Sequence, residues 1–456
     1  MANFAPIGTR PASSRAAALR ERLSPIVGRL GPVAPPHRLP LPAGVPGLPI
    51  AGASLGDVAC ALPEVAGFAE RTGGATTGLD GAGGGFDAGL AEWVAVAEAV
   101  ERYCAAVYDR DQLLVATAQE LGDDALDLDT MPRLSERELA DDRHRIGPAR
   151  KDVPRSWVRG IRLSDACPKW IPAELVWLCF DEPGVQRFSA PNTTGCAIHS
   201  DPDQALLNGL LETVERDSIA IVWRQRLPLP EIELDCGPPE LHELLSRFTD
   251  DAGVSLRLFD ATLDLGVPTV YAVYQEHRSE RFRHVLGCGI GPRPEQAAAN
   301  AAREALSCRI ALEHAGEPPA DPGTIANTVD GALYMGRAER AGAFDFLVGP
   351  GRDREKAPLS GLGSGDWPDE PRDCLLRLLG RMRAAGLEAF AVDLGCDESR
   401  EVGLTAVKAV VPGLQPLSFT HRAQFLGTPR LFEAPAACGY PVHPPGELNP
   451  WPQPFA

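Results

Sequence analysis

Residues 203–223 read DQALLNGLLETVERDSIAIVW, and the fold turns on how Glu212, Glu215 and Arg216 sit within them. The stretch has no proline and is apolar at helical spacing, so the glutamates at i and i+3 and the arginine at i+4 share roughly one face of a helix. At about 100° per residue that face lies among Ile219, Val222 and Trp223, on a cylinder apolar almost all round, which marks a buried helix. The pattern occurs twice. Residues 89–108, GLAEWVAVAEAVERYCAAVY, carry Glu98, Glu101 and Arg102 at the same spacing. Projection sends Glu101 into the stripe of Leu90, Val94, Ala97 and Cys104 and sets Glu98 and Arg102 at its edge. One copy could be an ordinary helix pairing its own Glu and Arg. Two copies set in apolar stripes argue against that, because four carboxylates in one interior repel and would take up protons unless a cation compensated them. Hard divalent cations with oxygen ligands are the natural compensation.

At 456 residues the chain can bury a large core, as one big domain or two to three ordinary ones. Its 62 acidic against 44 basic residues, net −18, argue against a nucleic-acid or anionic-membrane binder, although an acidic protein can still hold phosphates at a metal site. The 11 cysteines form no CxxC and are scattered, as expected of reduced thiols in a cytoplasmic protein. Nine histidines without HExxH make a zinc site an unlikely expectation, and no apolar run approaches the ~18 residues of a membrane helix.

Around the two helices the chain divides by composition. Residues 1–70 contain GPVAPPHRLPLPAGVPGLP, which cannot hold long helices or central strands and reads as a Pro/Gly-rich extended arm. Its first twenty residues lack acids, like a transit peptide, but read as a frayed tail. Residues 73–89, GGATTGLDGAGGGFDAG, fit either a phosphate-cradling loop before a helix or a plain hairpin. The strand pair in SLRLFDATLDLGVPTVYAVYQE is echoed by AFAVDLGCDESREVGLTAVKAVVPGL, as the two ExxER helices echo each other. Between them, PEQAAANAAREALSCRIALEHAG surrounds Glu304 with Ala297, Ala301, Cys308 and Ala311; Glu304 is a further interior acid or a solvated one. The end is Pro-rich, with Pro450, Pro452 and Pro454 alternating in PWPQPFA; such a stretch is either disordered or an extended thread that enters a groove at small entropic cost.

These motifs, in this order over about residues 75–430, resemble the YcaO family, and the terminal PxPxP is similar to that of its azoline-forming cyclodehydratases. The resemblance implies an α+β fold in which a pseudo-repeated strand/helix unit encloses an ATP/Mg2+ site, with residues 71–430 as the catalytic domain and 431–456 as the tail. It implies Glu98, Glu101, Glu212 and Glu215 as Mg2+ ligands. Thr194, Arg102, Arg216 and Glu304 would be nucleotide contacts, and Pro450, Pro452 and Pro454 catalytic-tail positions. The implied chemistry is ATP-dependent closure of Cys, Ser or Thr onto the preceding carbonyl of a ribosomally made precursor peptide, giving thiazoline or oxazoline. Three positions depart from the family pattern: Gly84 where a Lys is frequent, Val94 where a Ser is, and Ser307 where a Gln is. They point to a divergent ATP site or, alternatively, to a scaffold partner without turnover; thioamide or amidine formation is a further alternative. Residues 1–70 are too short and Pro-rich for a compact leader-binding domain. The resemblance therefore implies a separate leader-binding partner, ubiquitin-activating-enzyme-like or ThiF-like, leaves room for a flavin dehydrogenase and a homodimer, and implies neither nucleic acid nor membrane as partner.

Overall fold

Three sheets, antiparallel except for one parallel edge pair in the third, account for the chain's layout, each with an edge strand that runs into a long helix. The computed structural model describes residues 12–42, 48–60, 62, 65–66, 79–248, 253–349, 355–363 and 365–455. In the first sheet β1 (His37–Arg38), β2 (Ile50–Ala53) and β3 (Gly81–Gly84) lie in that order, and β3 runs into α2 (Ala88–Ala106), against which α1 (Ala12–Leu23) packs. The second sheet contains β4 (Leu114–Ala116), β5 (Arg155–Arg162), β7 (Cys196–His199), β13 (Phe390–Asp393) and β14 (Thr405–Val410), with β6 (Pro168–Pro172) added on β5. Its order is β4-β5-β13-β14-β7, and the edge strand β7 runs into α3 (Pro202–Gln225). The third contains β8 (Glu231–Glu233), β9 (Val254–Asp260), β10 (Thr269–Glu276), β11 (His284–Ile290) and β12 (Lys356–Pro358). Its order is β11-β10-β9-β8-β12, and the edge strand β11 runs into α4 (Pro294–Glu313).

The expected echo between the two strand pairs is therefore a real one. Both are antiparallel hairpins, β9–β10 and β13–β14, and in each the second strand pairs onward with the strand that feeds a glutamate helix, β10 with β11 and β14 with β7. Helix starts follow local chemistry. Asp87 accepts from the Leu90 N–H and Asp201 from the Asp203 N–H, closing orphan donors, and Pro202 and Pro294 occupy first-turn positions where no N–H is needed.

Two strands are built for close approach. A Cβ on Gly81 or Gly83 would lie 2.1 Å from the Ala95 carbonyl oxygen or 2.0 Å from that of Ala91; on Gly287 or Gly289 it would lie 2.5 Å from Ala301 O or 2.3 Å from Ala297 O. Backbone thus rests on backbone, and alanines at every fourth position of α2 and α4 (Ala91, Ala95, Ala99; Ala297, Ala301, Ala305) make room for it.

Several expectations are corrected here. The GAGG of the glycine-rich run is neither a phosphate loop nor a flexible turn; it is strand β3, with glycine selected by helix contact. Residues 67–78, the start of that run, and residues 1–11 lie outside the described residues. The stretch read as an extended arm contributes β1 and β2 to the sheet of β3, and Ala12–Leu23, which overlaps the stretch read as a frayed tail, is helical. The Pro-rich end is ordered: Pro452, Pro454 and Phe455 are buried, and Phe455 packs edge-on to Tyr271 with ring centroids 4.9 Å apart. Among the described residues no helix is long and apolar enough to cross a membrane.

Candidate active site

The three strand–helix units converge on one recess, and in each a helix glutamate is held by a backbone amide in the same way, Glu212 and Glu304 on the recess wall and Glu98 outside its lining. Glu98 of α2 accepts from the Ala82 N–H of β3 at 3.3 Å, Glu212 of α3 from the Gly195 N–H just before β7 at 3.0 Å, and Glu304 of α4 from the Cys288 N–H of β11 at 3.0 Å. Since a carboxylate oxygen is engaged by a strand amide in each case, all three side chains are fixed against their own sheet. Glu98 is only 3% exposed, deeper than the stripe-edge position expected from helical projection, because the glycine strand closes over it.

The recess, about 650 Å3 including its open mouth, is lined by Glu101, Glu212, Glu215 and Glu304 together with Arg102, Arg216 and Arg303. Its arginines are not equivalent. Arg102 donates to Glu98 at 2.8 Å, and Arg216 lies 3.3 Å from Glu212 and 3.6 Å from Glu215. Burial lowers the pKa of Arg216, but Glu215, Glu212 and Glu304 outweigh it, so the guanidinium stays charged. Arg303 donates to the Gly84 carbonyl at 3.2 Å and to the Asn300 side chain at 3.4 Å, and among the described residues it has no carboxylate within ion-pair distance. Burial accordingly lowers its pKa.

Two glutamates are held in their neutral form. Burial, then the charges of Glu212 and Glu98, raises Glu101 to about 8; burial, opposed by Arg216 and reinforced by Glu304, raises Glu215 to about 8. Glu101 Oε2 is buried without a hydrogen-bond partner. These are the properties of oxygen ligands awaiting a hard cation, and the donor set fits Mg2+ in kind. In arrangement the site differs from the expected four-glutamate cage: among the described residues no three acidic, Cys or His side chains stand close enough together to hold an ion as they are. The physical reason is visible in the contacts above, since Glu98 and Glu212 each give one oxygen to a strand amide and the other to the arginine one turn on.

The other expected residues are distributed as follows. Thr194 does not line the recess; its neighbour Thr193 does, and Thr194 faces an adjoining groove of about 700 Å3 that shares only Arg216 with the recess. None of Pro450, Pro452 and Pro454 lines either cavity. The tail instead runs behind α3, with the Trp223 indole N–H and the Arg224 guanidinium donating to the Trp451 carbonyl at 3.3 and 2.9 Å. Val94 belongs to the apolar core. Gly84 and Ser307 are neighbours: a Cβ on Gly84 would lie 2.5 Å from Ser307 Oγ, itself buried and unpartnered, so two of the three departures occupy one place. Sequence reasoning missed Arg303, Asn300 and Asn208. Arg303 is adjacent to Glu304 in AREAL, and a cation within an alanine-rich buried helix was the available signal.

Comparisons agree with this geometry. A family model described as YcaO cyclodehydratase, ATP- and Mg2+-binding, matches residues 82–415. An uncharacterized protein of Methanothermobacter thermautotrophicus is 28% identical over 337 residues, 71% of this chain and 78% of the other. An uncharacterized protein in the tfuA 3′ region of Rhizobium leguminosarum bv. trifolii is 30% identical over 353 residues, 73% and 76% of the two chains. Among solved structures, a heterocyclase in complex with substrate and cofactor matches with a TM-score of 0.78 at 22% identity over 96% of this chain. YcaO of Methanopyrus kandleri bound with AMPPCP and Mg2+ matches with a TM-score of 0.60 at 22% identity, over 89% of this chain and 92% of that one. The chain spans 57% of the length of that heterocyclase, and at these identities the structural likeness concerns the fold.

Proposed function

This chain belongs to the YcaO family, and we propose from that premise that it is an ATP-dependent cyclodehydratase converting Cys, Ser or Thr of a ribosomally made precursor peptide to thiazoline or oxazoline. The observation that carries the reading is the convergence of the backbone-anchored Glu212 and Glu304, the neutral Glu101 and Glu215, and Arg216 on one recess. A triphosphate with its metal is the ligand whose charges such a set complements. Mg2+, held by Glu101, Glu215 and their neighbours, would offset charge on the triphosphate.

The protein's own residues have distinct tasks. Arg303, which among the described residues has no carboxylate within ion-pair distance, and Arg216 would be the groups to hold phosphate oxygens. Past Asn208 and Ile290 the recess continues into a pocket of about 490 Å3 of mixed character, with Gln204, Arg293 and Gln296 beside Leu207, Leu211 and Pro371 on its walls, suited to a nucleoside. In the reaction, the substrate side chain adds to the preceding carbonyl carbon and the carbonyl pair moves to oxygen. That oxygen attacks the γ-phosphorus of ATP and ADP leaves. Loss of the amide proton and of phosphate then closes the C=N bond.

Pro452 and Pro454 support this site from behind: the buried tail fixes α3 through Trp223 and Arg224, and Phe455 backs Tyr271, which pairs with the recess residue Cys288. A separate leader-binding protein would present the peptide.

Mass spectrometry of a cysteine-bearing precursor peptide, incubated with the protein, its leader-binding partner and MgATP beside Glu212→Ala/Glu215→Ala, tests the reading. One water lost per ring, absent with the variant, is expected. A peptide that binds but returns unchanged with no ADP released would instead favour a scaffold, the reading motivated by Gly84 and Ser307.

A further inference from the structure

The groove beyond Arg216 differs in chemistry from the recess. Its walls are apolar, with Phe188, Val411, Leu414 and Phe425 among them, and only Arg216 stands on the boundary between the two cavities. Within those walls lies Lys408, on β14, 3% exposed. Its Nζ donates to the Asn192 carbonyl at 3.1 Å, and among the described residues no carboxylate is within ion-pair distance of it. An ammonium has three donors, and one carbonyl satisfies one of them. A buried cation without a counter-charge is costly, so its retention beside a reaction centre is a sign of a ligand that completes its shell. The groove wall is also braced: Asp217, one residue after Arg216, accepts from the Gln415 N–H at 2.7 Å and from Arg430 at 2.7 Å, which fixes the 411–417 turn.

We propose that this groove binds the acceptor peptide and that the Lys408 ammonium contacts the oxygen of the amide under attack. The inference rests on the ATP-dependent reading above and adds to it the peptide's place and a catalytic residue. When the substrate thiol or hydroxyl adds to the carbonyl carbon, the nucleophile loses its proton to solvent and the π pair becomes an alkoxide. Lys408 neutralises that oxyanion until it attacks the γ-phosphorus at the Arg216 boundary, with ADP leaving into the recess. A neutral, partly apolar peptide backbone suits the walls, and the developing negative charge falls where the groove has its two cations.

Substitutions at two positions and a cross-link test this. With Lys408→Met, kcat for ring formation should fall by about 10²–10³-fold while MgATP affinity holds, and Lys408→Arg should recover part of the loss. Leu414→Trp should raise the peptide KM by about tenfold or more with MgATP affinity again unmoved. A tenfold loss of MgATP affinity in either would make the groove the nucleotide's, and an unchanged kcat in Lys408→Met would leave that residue as a brace for Asn192; each overturns the proposal. The third arm needs neither turnover nor a tolerant variant. A precursor peptide from the gene's own neighbourhood, carrying benzoylphenylalanine beside its reacting cysteine, is irradiated on the wild-type protein with AMPPCP and Mg2+. Adducts at Met131 or Leu414 place the peptide in the groove; adducts elsewhere, or none, overturn it. If the wild type forms no rings and releases no ADP, the cyclodehydratase reading fails and the adducts alone decide whether the groove takes a peptide.

Discussion

The first and third strand–helix units are near-copies of each other, and the second is not. Gly81 and Gly83 under Ala91, Ala95 and Ala99 correspond step for step to Gly287 and Gly289 under Ala297, Ala301 and Ala305. In both, the amide that holds the glutamate lies 16 residues before it. In the middle unit the separation is 17, the amide belongs to Gly195 at φ +85°, and the helix is buried on nearly every side. The outer units are joined backbone to backbone. The middle one adds a buried charge network, Arg216 with Glu212 and Glu215 along the helix and Asp217 with Arg430, to a single close glycine contact, where a Cβ on Gly209 would lie 2.7 Å from the Gly195 carbonyl oxygen. Close backbone contact tolerates no added Cβ, whereas a buried charge network tolerates no missing partner.

The largest effect that could break this comparison is expected at the middle unit. Arg216→Met leaves Glu212, whose side chain is 19% exposed, without its cation and removes the charge beside the buried Glu215, and should destabilise the fold by about 3 kcal/mol, read by urea unfolding. Arg102→Met, whose side chain is 24% exposed and pairs with Glu98, should cost distinctly less. Equal losses would mean that the two ExxER helices are energetically alike.

Next come the outer units. Gly83→Ala and Gly289→Ala should each cost about 1–3 kcal/mol, and by similar amounts, because the same carbonyl contact is crowded in both. Gly85→Ala, where a Cβ meets nothing within 4 Å, should stay within about 0.5 kcal/mol. A marked asymmetry between Gly83 and Gly289 would show that the pseudo-repeat is one of outline only.

The smallest effect sharpens the role of the recess. Glu101 and Glu215 titrate near 8 when folded, against 4.5 as their ordinary value. Their folded pKa is raised, so the folded state keeps protons that the unfolded chain releases. The contribution of these two groups to the stability of the metal-free protein is therefore full below pH 4.5 and is lost as pH rises towards 8, by at most about 1.4 kcal/mol per pH unit for each group. Thermal melts between pH 6 and 8.5 should fall without divalent cation and flatten with MgATP, which replaces the protons. Melts that are flat without cation would show that these carboxylates are already compensated.

Much of the site was legible because burial and helical phase are local properties. The spacing of Glu212, Glu215 and Arg216 within an apolar cylinder, and its recurrence at Glu98, Glu101 and Arg102, announce interior charge in any fold that buries those helices. The ambiguity over Glu304 was equally local, since an alanine-rich helix is as compatible with solvent as with a close neighbour until β11 is laid against it. The glycine-rich run misled for the same reason: glycine at 81 and 83 serves a contact with residues 91–99, and composition does not distinguish close packing from a turn.

What the sequence alone determined is the set of charged groups that must be buried, the helices that carry them, and through the motif order the family. Side-chain period and chain-local propensity are written into consecutive residues, so no partner is needed to read them. Which groups meet was decided only by tertiary structure: that Gly84 and Ser307 share one place, that β1 and β2 complete the sheet of β3, that Thr194 lines the adjoining groove, and that Arg303 and Lys408 have no carboxylate within ion-pair distance among the described residues. Each of these depends on residues tens to hundreds of positions apart being brought within a few ångströms. A charge is costly or useful according to what then surrounds it, which no stretch of sequence states by itself.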